Sequence, residues 1–365
     1  MSQPQVPLLL FVPPVQGSTP ERMLGEAVHA NALDLIDRAL DVPALRPIIV
    51  ATPAPAWPEL AGLPVELVAD EPGEPFHFGR RLRTIVERYR VDRFLYIGAG
   101  AGALLGEADL ADLATRAATL ERGVLANNLY SADWFALAGA KALDTIALPE
   151  SDNDLPFRLQ AAGLPAQGLP PSAATRFDLD TPTDLLVASL HPRIGPALRR
   201  CLRALPLDPA PARRVLAEMD DPQGEVLIYG RLSATAWQRL EALPCQTRVF
   251  AEERGMRASG RQERGGVHAW LGRLYELVGA RAFFAALAGA CTGAIFDTRV
   301  LFAHLGLGPS TADRFYSDLL RPEDVAHPAV RELTAAALQA PVPLLLGGHS
   351  LVSGGLLALA EMAQG

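Results

Sequence analysis

The chain has 365 residues, a formal net charge of −8, and 49% hydrophobic against 20% charged residues. That length exceeds one typical core and suits two domains, and the apolar fraction excludes a disordered chain. The negative charge and the lack of a basic stripe argue against a nucleic-acid binder.

Lys141 is the only lysine, so any phosphate contact must be made by arginine, backbone or metal. Cys201, Cys245 and Cys291 are far apart and show no metal-ligand spacing. They read as reduced buried thiols of a cytoplasmic protein. No histidine pair has helical ligand spacing, which argues against a histidine-built zinc site. The apolar run Leu8 to Val12 is too short for a signal peptide. The apolar tail Val342 to Leu359 is broken by glycines, and reads as a buried strand and helix, not a membrane span.

Val6 to Val12 is a continuous apolar run, as expected of a parallel strand buried on both faces. A loop, Pro13 to Pro20, leads into a helical pattern over Glu21 to Leu40. Strands are expected at Pro47 to Thr52, Val65 to Ala69 and Arg93 to Ile97, with helices at Phe78 to Arg90 and Ala108 to Arg122. Gly123 to Asn127 reads as a strand. Asp144 to Leu164 reads as a short strand, a polar turn at Ser151–Asp154 and a helix. The stretch Leu205 to Pro211 carries three prolines and reads as a stiff link. The alternation then resumes: strands at Glu225 to Tyr229, Thr247 to Ala251, Ala294 to Asp297 and Pro343 to Leu346. Helices are expected from Ser233 to about Leu243, at His268 to Gly289, Val300 to Leu305, Pro322 to Gln339 and Leu351 to Met362. This pattern predicts an α/β fold, a mainly parallel sheet with helices on both faces, followed by a C-terminal α/β domain. The expected domains are residues 1–205 and 224–365, joined by a linker over 206–223.

The segment Ala174 to Leu186 holds the densest signal. Phe177 and Leu179 alternate with Asp178 and Asp180, a strand-like period of two. Thr181 then caps a helix with Pro182 at its first position and Asp184 in its first turn. Two carboxylates are thereby placed beside a helix start.

Phe177-Asp-Leu-Asp-Thr-Pro-Thr-Asp184 resembles the GT-A-type nucleotidyltransferases, above all the molybdenum-cofactor and 2-phospho-L-lactate guanylyltransferases. The resemblance extends to the order of elements over residues 6 to 190. It implies a GT-A-like nucleotidyltransferase domain that holds a nucleoside triphosphate over the ends of its parallel strands. It implies transfer of a nucleoside monophosphate to a phosphorylated small molecule, with Mg²⁺ bridging the phosphates. By position, Asp180 with its neighbour Asp178 would be the catalytic metal ligands. Gly17, Ser18 and Arg22 would cradle phosphate, and Asn128 and Asp133 would face the nucleotide or the acceptor. Two parts of the family pattern are absent: the first loop lacks a lysine, and the middle strand ends in Gly98-Ala-Gly-Ala101 without a carboxylate. A degenerate nucleotide-binding or assembly protein of the same fold is therefore the alternative.

The remaining candidates carry two readings each. Asn127 to Asp133 can contact a base, a sugar or the acceptor, or it is a turn in which Ser131 caps a helix. Ser151 to Asp154 can touch metal or open a helix. In the second half, Arg254, Arg257 and Arg261 lie in a loop that is long for a compact domain. With Gly348 and Ser350 they form an anion-site candidate, which puts activity in the C-terminal domain as a third reading. Glu252, Glu253 and Glu263 can instead pair with the arginines on the surface. Gly348-His-Ser-Leu-Val352 is half of a nucleophile elbow, lacking the closing glycine. Asp297, at the end of a strand, is the second half's best single carboxylate. No membrane partner is expected, and a homo-oligomer is neither required nor excluded.

Overall fold

The computed structural model describes residues 5–53, 57–70 and 75–364. The chain divides into two compact units. Unit 1 comprises Met1–Pro14, Gly25–Asp178 and Gly195–Arg200; unit 2 comprises Val15–Leu24, Leu179–Ile194 and Cys201–Gly365.

Unit 1 is built on a seven-stranded sheet. Its strands are β1 Leu8–Phe11, β2 Ile48–Thr52, β3 Val65–Ala69, β4 Arg93–Gly98, β5 Gly123–Ala126, β6 Trp134–Ala138 and β7 Ala166–Gly168. Their order is β3-β2-β1-β4-β6-β5-β7. Every pair is parallel except those of β6, which runs antiparallel to β4 and β5. β1, β2 and β6 are buried at every residue, which is why they read as unbroken apolar runs. The core on one face gathers Phe11, Phe78, Tyr96 and Phe135, whose rings meet at centroid distances of 4.9 to 5.6 Å.

Two expectations in this unit give way. No helix follows Ser131; the chain turns back as β6. The cause is Asn127, whose Oδ1 accepts from the Asp133 and Trp134 amides, so its side chain closes the loop as a backbone turn would. The strand expected after Asp144 is absent: Ala140–Thr145 is a 3₁₀ helix, and the next helix is Leu155–Ala161.

Unit 2 has a four-stranded, all-parallel sheet of β8 Glu225–Gly230, β9 Gln246–Ala251, β10 Gly293–Asp297 and β11 Leu344–Gly347, in the order β11-β10-β8-β9. Around it lie the helices Pro182–Leu190, Ala210–Asp220, Trp270–Ala285, Thr298–His304, Thr311–Asp318 and Pro328–Leu338, and a last helical run from Leu351 to Ala363. Ala210–Asp220 falls inside the expected linker 206–223, and Ala212, Val215 and Met219 bury one of its faces. The expected strand at Phe177 is a single antiparallel bridge between Asp178 and Ala101, preceded by the one-turn helix Ala173–Arg176. Among the described residues, no helix is long and apolar enough to cross a membrane.

Helix Pro196–Ala204, whose first turns belong to unit 1, is capped from a distance. Both oxygens of buried Asp34 accept from its first-turn amides, Ala197 N and Leu198 N, at 2.8 Å each. Asp34→Ala removes both acceptors and is expected to cost about 1–2 kcal/mol in urea unfolding.

Candidate functional site

Each sheet reverses its strand order at one point, and each reversal carries a polar cluster at the carboxyl ends of the strands. In unit 1 the reversal lies between β1 and β4, because β1 pairs with β2 on one side and β4 on the other. Tyr96 of β4 donates its hydroxyl to Asp152 Oδ2 at 2.8 Å. Burial first, and then the carboxylates of Asp152, Asp133 and Asp178, push its phenol well above the ordinary range. Burial raises the Asp152 carboxyl too, and the hydrogen bond from Tyr96 offsets part of this. Asp133 Oδ2 accepts from Asn127 Nδ2 at 2.8 Å. Gly98, the last residue of β4, lies under this group: a Cβ built on it would meet Asp133 O at 3.2 Å and Asp152 Oδ2 at 3.4 Å. The end of β4, which has no acid of its own, is thus approached by the Asp152 carboxylate and by the main-chain oxygen of Asp133.

In unit 2 the reversal lies between β8 and β10. Arg231, just after β8, holds Asp297 at the end of β10 through Nε at 2.6 Å and Nη2 at 3.0 Å. Asp297 is fully buried and Arg231 nearly so. Burial would raise the Asp297 carboxyl, but Arg231 outweighs it and holds it below the ordinary range. Gly230 makes room for the pair: its φ is +135°, and a Cβ there would fall 2.3 Å from Asp297 Cβ. Arg299 forms a second two-pronged pair with buried Asp318, at 2.7 and 2.6 Å. Thr298 Oγ1 donates to Gly347 O, which ties the end of β10 to that of β11.

Asp184 completes this cluster. It is fully buried, and its Oδ2 accepts from the Thr181 amide at 2.7 Å, the Thr181 hydroxyl at 2.9 Å and Ser350 Oγ at 2.7 Å. Its Oδ1 has no hydrogen-bond partner among the described residues. Burial, then the charge of Asp180, raise its pKa to about 7. The expected capped helix is present as Pro182–Leu190, with Asp184 as the capping carboxylate.

The structure separates Asp178 from Asp180. Asp178 belongs to unit 1 and bears on Tyr96, whereas exposed Asp180 belongs to unit 2 and bears on Arg299, Arg314, Asp184 and His349. Among the described residues, no three His, Cys, Asp or Glu side chains are gathered as a ready cation site. Gly17, Ser18 and Arg22 also fall in unit 2 and serve the start of helix Thr19–Leu40. Ser18 gives its amide and hydroxyl to Glu21, and Arg22 donates to Gly17 O and Thr19 Oγ1. Asn128 accepts from the Tyr130 amide in a local turn.

In the arginine loop, Arg261 is held by Glu253 at 2.8 Å and Gly266 O at 2.7 Å, while the side chains of Arg254 and Arg257 hydrogen-bond to no described residue. Gly348 and Ser350 lie at the end of β11, beside Arg299 and Asp184 respectively. Sequence reasoning passed over Tyr96, Arg231, Arg299 and Asp318. Arg231 and Arg299 each carried one signal, a charged residue one to two positions beyond a buried parallel strand. Asp318 lies inside a helix and carried none.

No family model matches the chain, and no curated protein matches it. Several solved structures overlap it in part. One is a CMP:2-keto-3-deoxy-manno-octonic acid synthetase complexed with CTP, at TM-score 0.34 and 13% identity over 45% of this chain and 89% of that one. A second is the bifunctional IspDF from Campylobacter jejuni, at TM-score 0.35 and 11% identity over 47% of this chain and 51% of that one. A third is a cytidylyltransferase from Leptospira borgpetersenii, at TM-score 0.34 and 11% identity over 47% and 76%. Each is a partial overlap at low identity; the α/β class of this chain rests on its own two sheets.

Proposed function

We propose that unit 1 binds a nucleoside triphosphate at the β1/β4 reversal, and that the chain moves a nucleoside monophosphate from it to a phosphorylated small molecule. The observation that carries this reading is the group of Asp133, Asp152 and Asp178 around the Tyr96 hydroxyl, at the carboxyl end of β4. An acidic group at that point suits a magnesium-bound triphosphate, for which one or two protein carboxylates suffice because the phosphates supply other oxygens. Asp178 and Asp152 are the residues proposed to face the cation, and bound Mg²⁺ would supply charge stabilisation at the transferred phosphate. Tyr96 would orient Asp152 through its hydrogen bond, and Asn127 would orient Asp133.

Calorimetric titration of the full chain with GTP, CTP, ATP and UTP in Mg²⁺ tests the reading. One nucleotide is expected to bind, and Asp152→Asn or Asp178→Asn to weaken it about tenfold or more, the scale of a lost charge-assisted contact. If no triphosphate binds, the reading fails.

A second reading is a nucleotide-binding protein of the same design without turnover. It is favoured by the acid-free segment from Gly98 to Gly102 and by the lysine-free first loop from Pro13 to Arg22. Pyrophosphate release separates the two: a protein that binds a triphosphate yet releases none with any phosphorylated acceptor is the non-catalytic form.

A further inference from the structure

The carboxyl edge of the unit 2 sheet has a use that the triphosphate reading does not call on. Three strand ends meet there. Arg231 follows β8, Asp297 to Arg299 follow β10, and Gly348 and His349 follow β11. Arg231 and Arg299 are locked in place by their two-pronged carboxylate pairs, so neither guanidinium has to be ordered when a ligand arrives.

Beside this fixed pair the backbone is open. The amides of Gly348 and His349 make no hydrogen bond to any described residue, and they stand where the last helical run begins. Gly348 brings its backbone close to the second arginine: a Cβ there would sit 3.4 Å from Thr181 Cγ2 and 3.8 Å from Arg299 Nε. His349 Nδ1 is buried without a hydrogen-bond partner. Burial, then Arg231, hold its ring below the ordinary histidine range, and Asp297, Asp180 and Arg254 also act on it. Arg254 brings an exposed guanidinium with no partner of its own. The cationic character extends to Arg314, which burial and the like charges of Arg299 and Arg257 hold below the ordinary arginine range. Like charges crowded around unbonded amides at a helix start are relieved by an anion.

We infer that this crevice between the ends of β8, β10 and β11 is a phosphate site, built to take the phosphate group of a small phosphomonoester or inorganic phosphate. The Gly348 and His349 amides, Arg254 and Arg299 Nε supply its donors. Asp180 is the carboxylate that opposes the bound anion. Its role here is opposite in sign to that of a metal ligand, because removing its charge strengthens the site.

The test is calorimetry on the full chain with inorganic phosphate, glycerol 3-phosphate and acetate, in EDTA and without nucleotide. Its outcome is therefore independent of the triphosphate titration. Phosphate or its monoester is expected to bind. Arg254→Ala and Gly348→Ala should each weaken binding about tenfold, the scale of a lost charge-assisted contact, and Asp180→Asn should tighten it a few-fold. Arg254 is exposed and the Gly348 methyl meets only ordinary contacts, so both variants fold, which thermal melts verify. Arg281→Ala, an exposed arginine on helix Trp270–Ala285, is the charge control and should leave affinity unchanged. The tighter of the two phosphate ligands identifies the source. No binding of either one, binding of acetate alone, or an affinity unchanged from the wild type in the Arg254 and Gly348 variants overturns the inference.

Discussion

Replacing Asp297 by alanine will lower the unfolding free energy by about 3–5 kcal/mol, the loss seen when one partner of a buried ion pair is removed. Asp297 is fully buried and accepts both prongs of Arg231; its Oδ1 also accepts from the Arg299 amide at 3.2 Å, which starts helix Thr298–His304. Removing the carboxylate strands the Arg231 charge at the end of β8 and uncaps the helix that carries Arg299. The loss should appear as a lower urea midpoint with an unchanged slope. Asp297→Asn is the informative companion: it keeps an acceptor but not the charge, and should recover only part of the loss. Equal stability of the wild type and Asp297→Ala would show that the pair is not closed in solution.

Stability is expected to fall as pH rises through neutrality, and Asp184 is the cause. Burial and the Asp180 charge raise its pKa from the ordinary 3.8 to about 7. At about 1.4 kcal/mol per pKa unit, ionising it in the folded chain costs about 4 kcal/mol. The sign follows from proton counting. Between about pH 4 and 7 the folded chain holds a proton that the unfolded chain has released, so stability decreases with rising pH. The contribution is fully present below the unfolded pKa and lost as pH passes about 7. The measurement is urea unfolding of wild type and Asp184→Asn at about pH 4.5 and 8. Asparagine cannot ionise, so the difference between the two proteins should move in the variant's favour by about 3–4 kcal/mol across that range. A difference independent of pH would show that Asp184 ionises freely. The same carboxyl accepts from Ser350 and Thr181, so the start of the last helical run is where the pH dependence acts.

How much was legible follows from how local each signal is. β1, β2 and β4 were readable because a strand buried on both faces must be apolar throughout. The helix at Pro182 was readable because its cap residues lie within four positions of one another. β6 was not. Its five residues, Trp134 to Ala138, are as apolar as a short buried helix segment, and periodicity cannot separate the two. What decides is Asn127, whose side chain reaches a residue six positions on to close the loop.

The two carboxylates of Asp178-Leu179-Asp180 show the boundary most sharply. Their spacing, their placement before a capped helix and the acid-free end of β4 are facts of the sequence alone. So are the alternating strands and helices and the near absence of lysine. That Asp178 groups with Tyr96 while Asp180 groups with Arg299 was decided only by tertiary structure. So was the approach of the Asp152 carboxylate and the Asp133 main-chain oxygen to Gly98, and the pairing of Arg231 with a carboxylate 66 positions away. The physical reason is one of range. Propensity, capping and burial patterns act over a few residues, whereas charges act through space, and a parallel sheet brings together strand ends that are far apart along the chain.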